Sequence, residues 1–191
     1  HLRGVPHGHA RRARGEPMKT GIGLAAITDE FSQDLDVALD AMASLGFTGV
    51  EMRTIGGQNI ADIDDAGIET IVDNVTRRGM TILSIASPLL KCVLPDAPDL
   101  DMRFQQDAFA SRHTFADQPR LAERVFEIAE RTGAPIVRVF SYWRTVDPAR
   151  CFDRVVEALT MLADQAAARG CRIGLENEHA CNVATAAESV P

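Results

Sequence analysis

Glycine recurs where an apolar, helix-spaced stretch gives way to a β-branched one: Gly46 before FTGVEMR, Gly79 before MTILSIA, Gly133 before APIVRVF and Gly170 before CRIGLE. A glycine just past a helix adopts the left-handed backbone that closes the last turn at no steric cost. The following residues then read as short buried strands. Strand and helix alternate in this way along most of the chain, which is the signature of repeated βα units around a parallel sheet. No other feature limits the possible folds so strongly, because parallel neighbours need a crossover helix and cannot be joined by a tight turn.

The expected strands are Gly21–Ile27, Thr48–Arg53, Thr81–Ala86, Pro135–Tyr142 and Cys171–Glu176. Leu35, Leu39, Met42 and Leu45 recur at helical spacing after the first. Later helices are expected over Asp64–Arg78, over Asp117–Thr132 and from an Asp147-Pro148 cap to Gly170, with a fifth beginning near Ala184. Ser87-Pro88 should end the third strand, since proline cannot donate to a sheet ladder. A polar loop then runs from Lys91 to about Ala116. A doubly wound sheet is the competing fold, but its phosphate-cradling glycine motif is absent from the first strand-to-helix turn, and Gly21-x-Gly23 lies on the wrong side of the strand.

Residues 1–17 carry Arg3, Arg11, Arg12 and Arg14 against Glu16 and have no hydrophobic periodicity, so they read as a disordered basic leader outside the fold. Residues 18–191 read as one domain. The leader's local +3 leaves −10 on the remainder of a chain whose formal total is −7, which argues against nucleic acid as the main partner. Cys92, Cys151, Cys171 and Cys181 form no C-x-x-C pair and are expected as reduced thiols. With no apolar run of membrane-spanning length and no secretory signal, a cytoplasmic protein without membrane contact is expected.

The charged residues that interrupt the strands sit towards their carboxyl ends, where ligand sites form in parallel sheets. Glu51 and Arg53 end the second strand, Ser87 and Lys91 follow the third, Arg138 and Ser141 lie on the fourth, and IGLENEH ends the fifth with Glu176, Glu178 and His179. The period of two puts Glu51 with Arg53, and Glu176 with Glu178, on shared faces. A buried unpaired carboxylate costs several kcal/mol, so Glu176 needs a cation. A divalent ion (manganese, magnesium, cobalt or zinc) meets that need; the alternative is an internal ion-pair cluster of Glu51, Arg138 and Glu176. His179, past the strand end, is expected to face substrate or to hydrogen-bond a neighbouring side chain rather than to bind a metal by itself. Asn177 should point away from Glu176 and tie down nearby backbone. Tyr142 and Trp143 would either wall a sugar ring or pack under a loop.

The segments TDEFSQDLDVALDAMASLGFTGVEMR, SIASPLLKC, IVRVFSYWR and IGLENEHACN together resemble the xylose-isomerase-like TIM-barrel family of sugar phosphate isomerases and epimerases. The resemblance implies a (β/α)8 fold with only the first five βα units present, because an eight-stranded barrel takes roughly 250 residues. It implies a metal-dependent isomerase or epimerase of a sugar or sugar phosphate, working by proton abstraction beside a carbonyl. Glu176 would be metal ligand and catalytic carboxylate, and Glu51, Lys91, Arg138 and His179 would contact substrate. Further ligands would come from strands six to eight. Left alone, such a piece should associate with copies of itself through open sheet edges. The alternatives on the same scaffold are an inositol-ketone dehydratase, an apurinic-site endonuclease that the acidic body disfavours, and a catalytically inactive binding module.

Overall fold

The computed structural model of the chain describes residues 23–105 and 112–189; the leader expected over residues 1–17 lies outside them. In chain order the main elements are β1 (Ala25–Ile27), α1 (Leu35–Ser44), β2 (Gly49–Met52), a small hairpin of β3 (Thr54–Ile55) and β4 (Gln58–Asn59), α2 (Asp65–Arg77), β5 (Thr81–Leu89), α3 (Gln118–Thr132), β6 (Ile136–Val139), α4 (Phe152–Ala168) and β7 (Arg172–Leu175). Five strands form one parallel sheet in the order β1-β2-β5-β6-β7, so each new strand is laid beside the last. This is the expected α/β architecture of five βα units. Among the described residues the sheet does not close, and β1 and β7 each keep one edge without a strand.

Local chemistry sets the element ends. The Asp34 carboxylate accepts from the Asp36 and Val37 N–H groups to start α1, and Asp64 accepts from Gly67 N–H to start α2. Gly133 ends α3 at φ +70°, a conformation that costs an L-residue about 1–2 kcal/mol. The expected Asp147 cap is not formed. Pro148–Cys151 instead makes a tight 3-10 turn that leads into α4, and the Asp147 side chain caps nothing. The fifth helix is likewise only a 3-10 turn over Ala186–Ser189 within the described residues.

One face of the sheet is dry. Val50, Met52, Ile82, Ile85, Val137 and Val139 are buried there against Leu39, Met42, Ile68, Val75, Val125, Phe126 and Leu162 of the four helices. Alternation sends Gly49, Glu51, Arg138 and Gly174 to the opposite, inner face. That face is left partly open, with Leu83 39% exposed. Leu83 is also where the pairing of β2 with β5 slips, from Val50–Ile82 to Glu51–Ser84, and a methyl on Gly49 would land on the Leu83 side chain.

Pro88 does not end the third sheet strand as expected: β5 continues through it to Leu89. Its pairing with β6 jumps from Ile85–Val137 to Leu89–Val139, so the residues between, Pro88 included, have no ladder partner. A proline has no N–H to lose at a bulge of this kind. The Ser87 hydroxyl repairs the gap by donating to the Arg138 carbonyl and accepting from Leu89 N–H.

Candidate functional site at the carboxyl rim of the sheet

The bulge in β5 leaves the Ala86 and Ser87 carbonyls turned towards the inner face, and Arg138 fills the gap. Its Nη2 donates to Ala86 O at 3.0 Å, its Nε and Nη2 reach Ser87 O at 3.4 Å, and Nη1 donates to Glu176 Oε2 at 3.1 Å. Burial pulls the guanidinium below the ordinary arginine range, and Glu176 and Glu51 act against that shift. Arginine nevertheless remains a cation at neutral pH. A buried cation with its donors occupied is a fixed positive wall, and Glu176 is the carboxylate that leans on it.

Glu176 lies immediately after β7, and its backbone N–H still donates to Val139 O. Ile173 and Leu175 pack on the core side, which places Gly174 and Glu176 on the inner face. The Glu176 side chain is 41% exposed, and Oε1 has no hydrogen-bond partner among the described residues. One oxygen is held and the other is presented to the open side of the sheet.

Glu178 is the second acid of the same turn and is only 14% exposed, with Oε2 at 2.8 Å from Lys91 Nζ. The Lys91 ammonium also lies 4.6 Å from the centre of the Phe140 ring and 5.5 Å from that of Trp143. Arg138 lies 4.7 Å from Phe140. Phe140 is therefore flanked by two cations, each tied to one of the two glutamates. His179 stands at the edge of this arrangement, 72% exposed, with Nδ1 3.6 Å from Glu178 Oε1.

The other sequence-selected residues divide. Glu51 faces inward and accepts from the Ser84 hydroxyl at 2.6 Å. Arg53 binds Asp29 at 2.8 Å and Glu30 at 2.6 Å. Burial alone would raise the Asp29 carboxyl, but hydrogen bonds from Arg53 and Thr54 hold it below the usual range. Tyr142 and Trp143 are both buried; Trp143 packs with Phe140, Ala180 and Cys181. Both are the loop-packing residues of the two alternatives. Asn177 Nδ2 donates to Ala184 O at 3.4 Å, away from Glu176.

Sequence reasoning missed Asn182. Its Nδ2 donates to Ser141 O and Trp143 O, both at 3.1 Å, and its Oδ1 accepts from Thr145 N–H at 3.0 Å and the Thr145 hydroxyl at 3.2 Å. With Ser141 Oγ accepting from Val183 N–H, it locks the turn after β6 to the turn carrying Glu176 and Glu178. The only signal was an asparagine set among apolar residues in ACNVA. A buried amide of that kind has to be fully hydrogen-bonded.

Among the described residues no three histidine, cysteine, aspartate or glutamate side chains converge so as to hold an ion. Glu176 offers one free carboxylate oxygen, whereas divalent sites take at least three ligands. The residues described here are therefore not a metal site by themselves.

The solved structures similar to the chain include a xylose isomerase-like TIM barrel protein from Mycobacterium smegmatis in complex with magnesium, with 18% identity and a TM-score of 0.55 over 81% of this chain and 50% of that one. A D-psicose 3-epimerase with D-tagatose from Clostridium cellulolyticum H10 shares 18% identity at a TM-score of 0.54, over 79% and 50% of the two chains. The IolI protein with a bound zinc atom shares 15% identity at a TM-score of 0.61, over 88% and 56%. The chain thus spans about half the length of the solved structures it matches. No curated protein matches the sequence. Residues 39–190 match the family model described as xylose isomerase-like TIM barrel, and the chain belongs to that family.

Proposed function

We propose that the protein is an isomerase or epimerase of a sugar or sugar phosphate, and that Glu176 is its catalytic carboxylate. The observation that carries this reading is the division of labour at Glu176. Arg138 fixes Oε2 from a buried site, while Oε1 is open on the inner face. A carboxylate held in one orientation with a free oxygen is suited to take a proton from the carbon beside a carbonyl. The C–H pair then becomes the enediol double bond, and the charge moves to the carbonyl oxygen. Return of the proton to the neighbouring carbon, with the proton of that carbon's hydroxyl passing to the oxyanion, isomerises the sugar; delivery of a proton to the original carbon from the opposite face, by a second acid, epimerises it.

On this reading Lys91, Glu51 and His179 would contact hydroxyl or phosphate oxygens of the substrate, and Arg138 would act on it chiefly through its charge. The relatives with magnesium and zinc support a divalent ion as cofactor, and Glu176 would supply one of its ligands. Such an ion would polarise the carbonyl. The epimerase with D-tagatose among the similar structures supports a ketose as substrate.

The test is turnover of a ketose panel with manganese present, comparing the protein with its Glu176→Gln variant. The amide keeps the shape but cannot accept the proton, so the expected loss is at least about 100-fold. An unchanged rate would remove Glu176 from the chemistry.

A further inference from the structure

Beside the carboxyl ends of β5 and β6, α3 and α4 leave a cavity of about 320 Å³. Its floor is Leu89, Leu90 and Tyr142, its walls include Ala122 and Leu162, and Met161 stands at its mouth. Tyr142 is only 4% exposed, yet none of the described residues hydrogen-bonds its hydroxyl. The rest of the side chain is accounted for, since the ring meets Phe115 at 6.0 Å. Burial pushes the phenol up to about 12, with the Cys92 thiol adding to the rise and Arg154 at the cavity rim opposing it.

The other buried polar group in the lining is already committed. Gln118 Oε1 accepts from Leu90 N–H at 2.8 Å, and its Nε2 donates to Thr114 O at 2.9 Å. The hydroxyl of Tyr142 is therefore the unsatisfied polar atom of a mainly apolar space. The backbone is also held in an unusual shape here: Leu90 and Tyr142 both have φ of +60°, and Tyr142 N–H donates to Leu90 O at 2.9 Å. Two non-glycine residues in the left-handed region on one cavity floor are the kind of local strain that marks binding sites.

We propose that this cavity binds a small uncharged molecule, an apolar ring carrying one hydroxyl or carbonyl oxygen that pairs with the Tyr142 hydroxyl. The volume lies at the lower end of the range for small-molecule pockets. Neutrality follows from the rim, where Arg154 and Glu157 offset one another and Arg154 is engaged with the Pro95 carbonyl. The site lies where the carboxyl ends of β5 and β6 meet α3 and α4, shares no lining residue with the Glu176–Arg138 pair, and does not depend on the isomerase reading.

Phenol and toluene are the probes, because they have nearly the same shape and differ in the hydroxyl. Each is titrated to millimolar concentration while the Met161 methyl resonance and the melting temperature are followed. Both should shift the methyl saturably, with phenol binding more tightly. Tyr142→Phe should weaken phenol about three- to tenfold, the worth of one hydrogen bond, and leave toluene unchanged. Ala158→Leu, which fills the space from α4 without touching Tyr142, should abolish both responses. The proposal is overturned if neither probe saturates, if Tyr142→Phe leaves phenol affinity unaltered, or if binding persists in Ala158→Leu.

Discussion

The two faces of the sheet are built from alternate residues of the same strands, yet they answer to different demands. The helix-covered face takes Val50, Met52, Val137 and Val139 out of water completely. The inner face, one residue out of step, holds Glu51, Arg138 and Glu176 with Leu83 left partly in water. Hydrophobic burial is therefore concentrated on one side, and fixed charge on the other. Stability and chemistry should separate in mutants along the same alternation.

The largest effect on stability should come from the dry side. Phe126→Ala empties a fully buried position on α3 and should cost about 3–5 kcal/mol in chemical denaturation. A loss under about 1 kcal/mol would mean that the helical layer is not packed as described. Asn182→Ala comes next, since it strands the Thr145 N–H and the Ser141 and Trp143 carbonyls in a buried turn. Unsatisfied buried groups of this kind cost about 1–3 kcal/mol each, so a loss of roughly 2 kcal/mol or more is expected. The turnover proposed for Glu176 should fall with it, because the clamp holds the turn bearing that residue.

Part of the acid response comes from the turn after β1. Asp29 has a folded pKa below its unfolded value near 4, so its contribution is present above that value and is lost as pH falls through the folded pKa. Melting temperature followed from pH 5 to pH 2 should therefore drop, and Asp29→Asn should flatten that part of the curve. An identical slope in the variant would assign the acid response to other carboxylates. The smallest effect is expected at Leu83→Ala. A side chain already in water over much of its surface should cost no more than about 1 kcal/mol, and a loss like that of Phe126→Ala would erase the distinction between the faces.

The alternation of strands and helices was legible because burial on the helix side imposes an apolar pattern that a single sequence carries openly. Val125, Ile128 and Ala129 of α3 could be read directly from their spacing. The position of Glu176 was legible for a related reason: a charge at the end of an apolar run must lie where the strand leaves the core. What Pro88 does was not, because its effect depends on where the ladder of a neighbouring strand is interrupted. The Lys91–Glu178 pair was also hidden, since it joins residues far apart in sequence through a turn whose shape rests on Asn182. Polar contacts of that sort leave no periodicity.

The interrupted pairing between β5 and β6 has a bearing on how the sheet finds its alignment. Parallel strands can slide by two residues and keep the same side chains facing the core, so hydrophobicity alone tolerates that error. Sliding here would carry Arg138 away from the two vacant carbonyls and set it against a continuous ladder with nothing to receive its protons. A misaligned sheet would thus bury an uncompensated cation, and the guanidinium that steadies Glu176 also selects the alignment of the two strands.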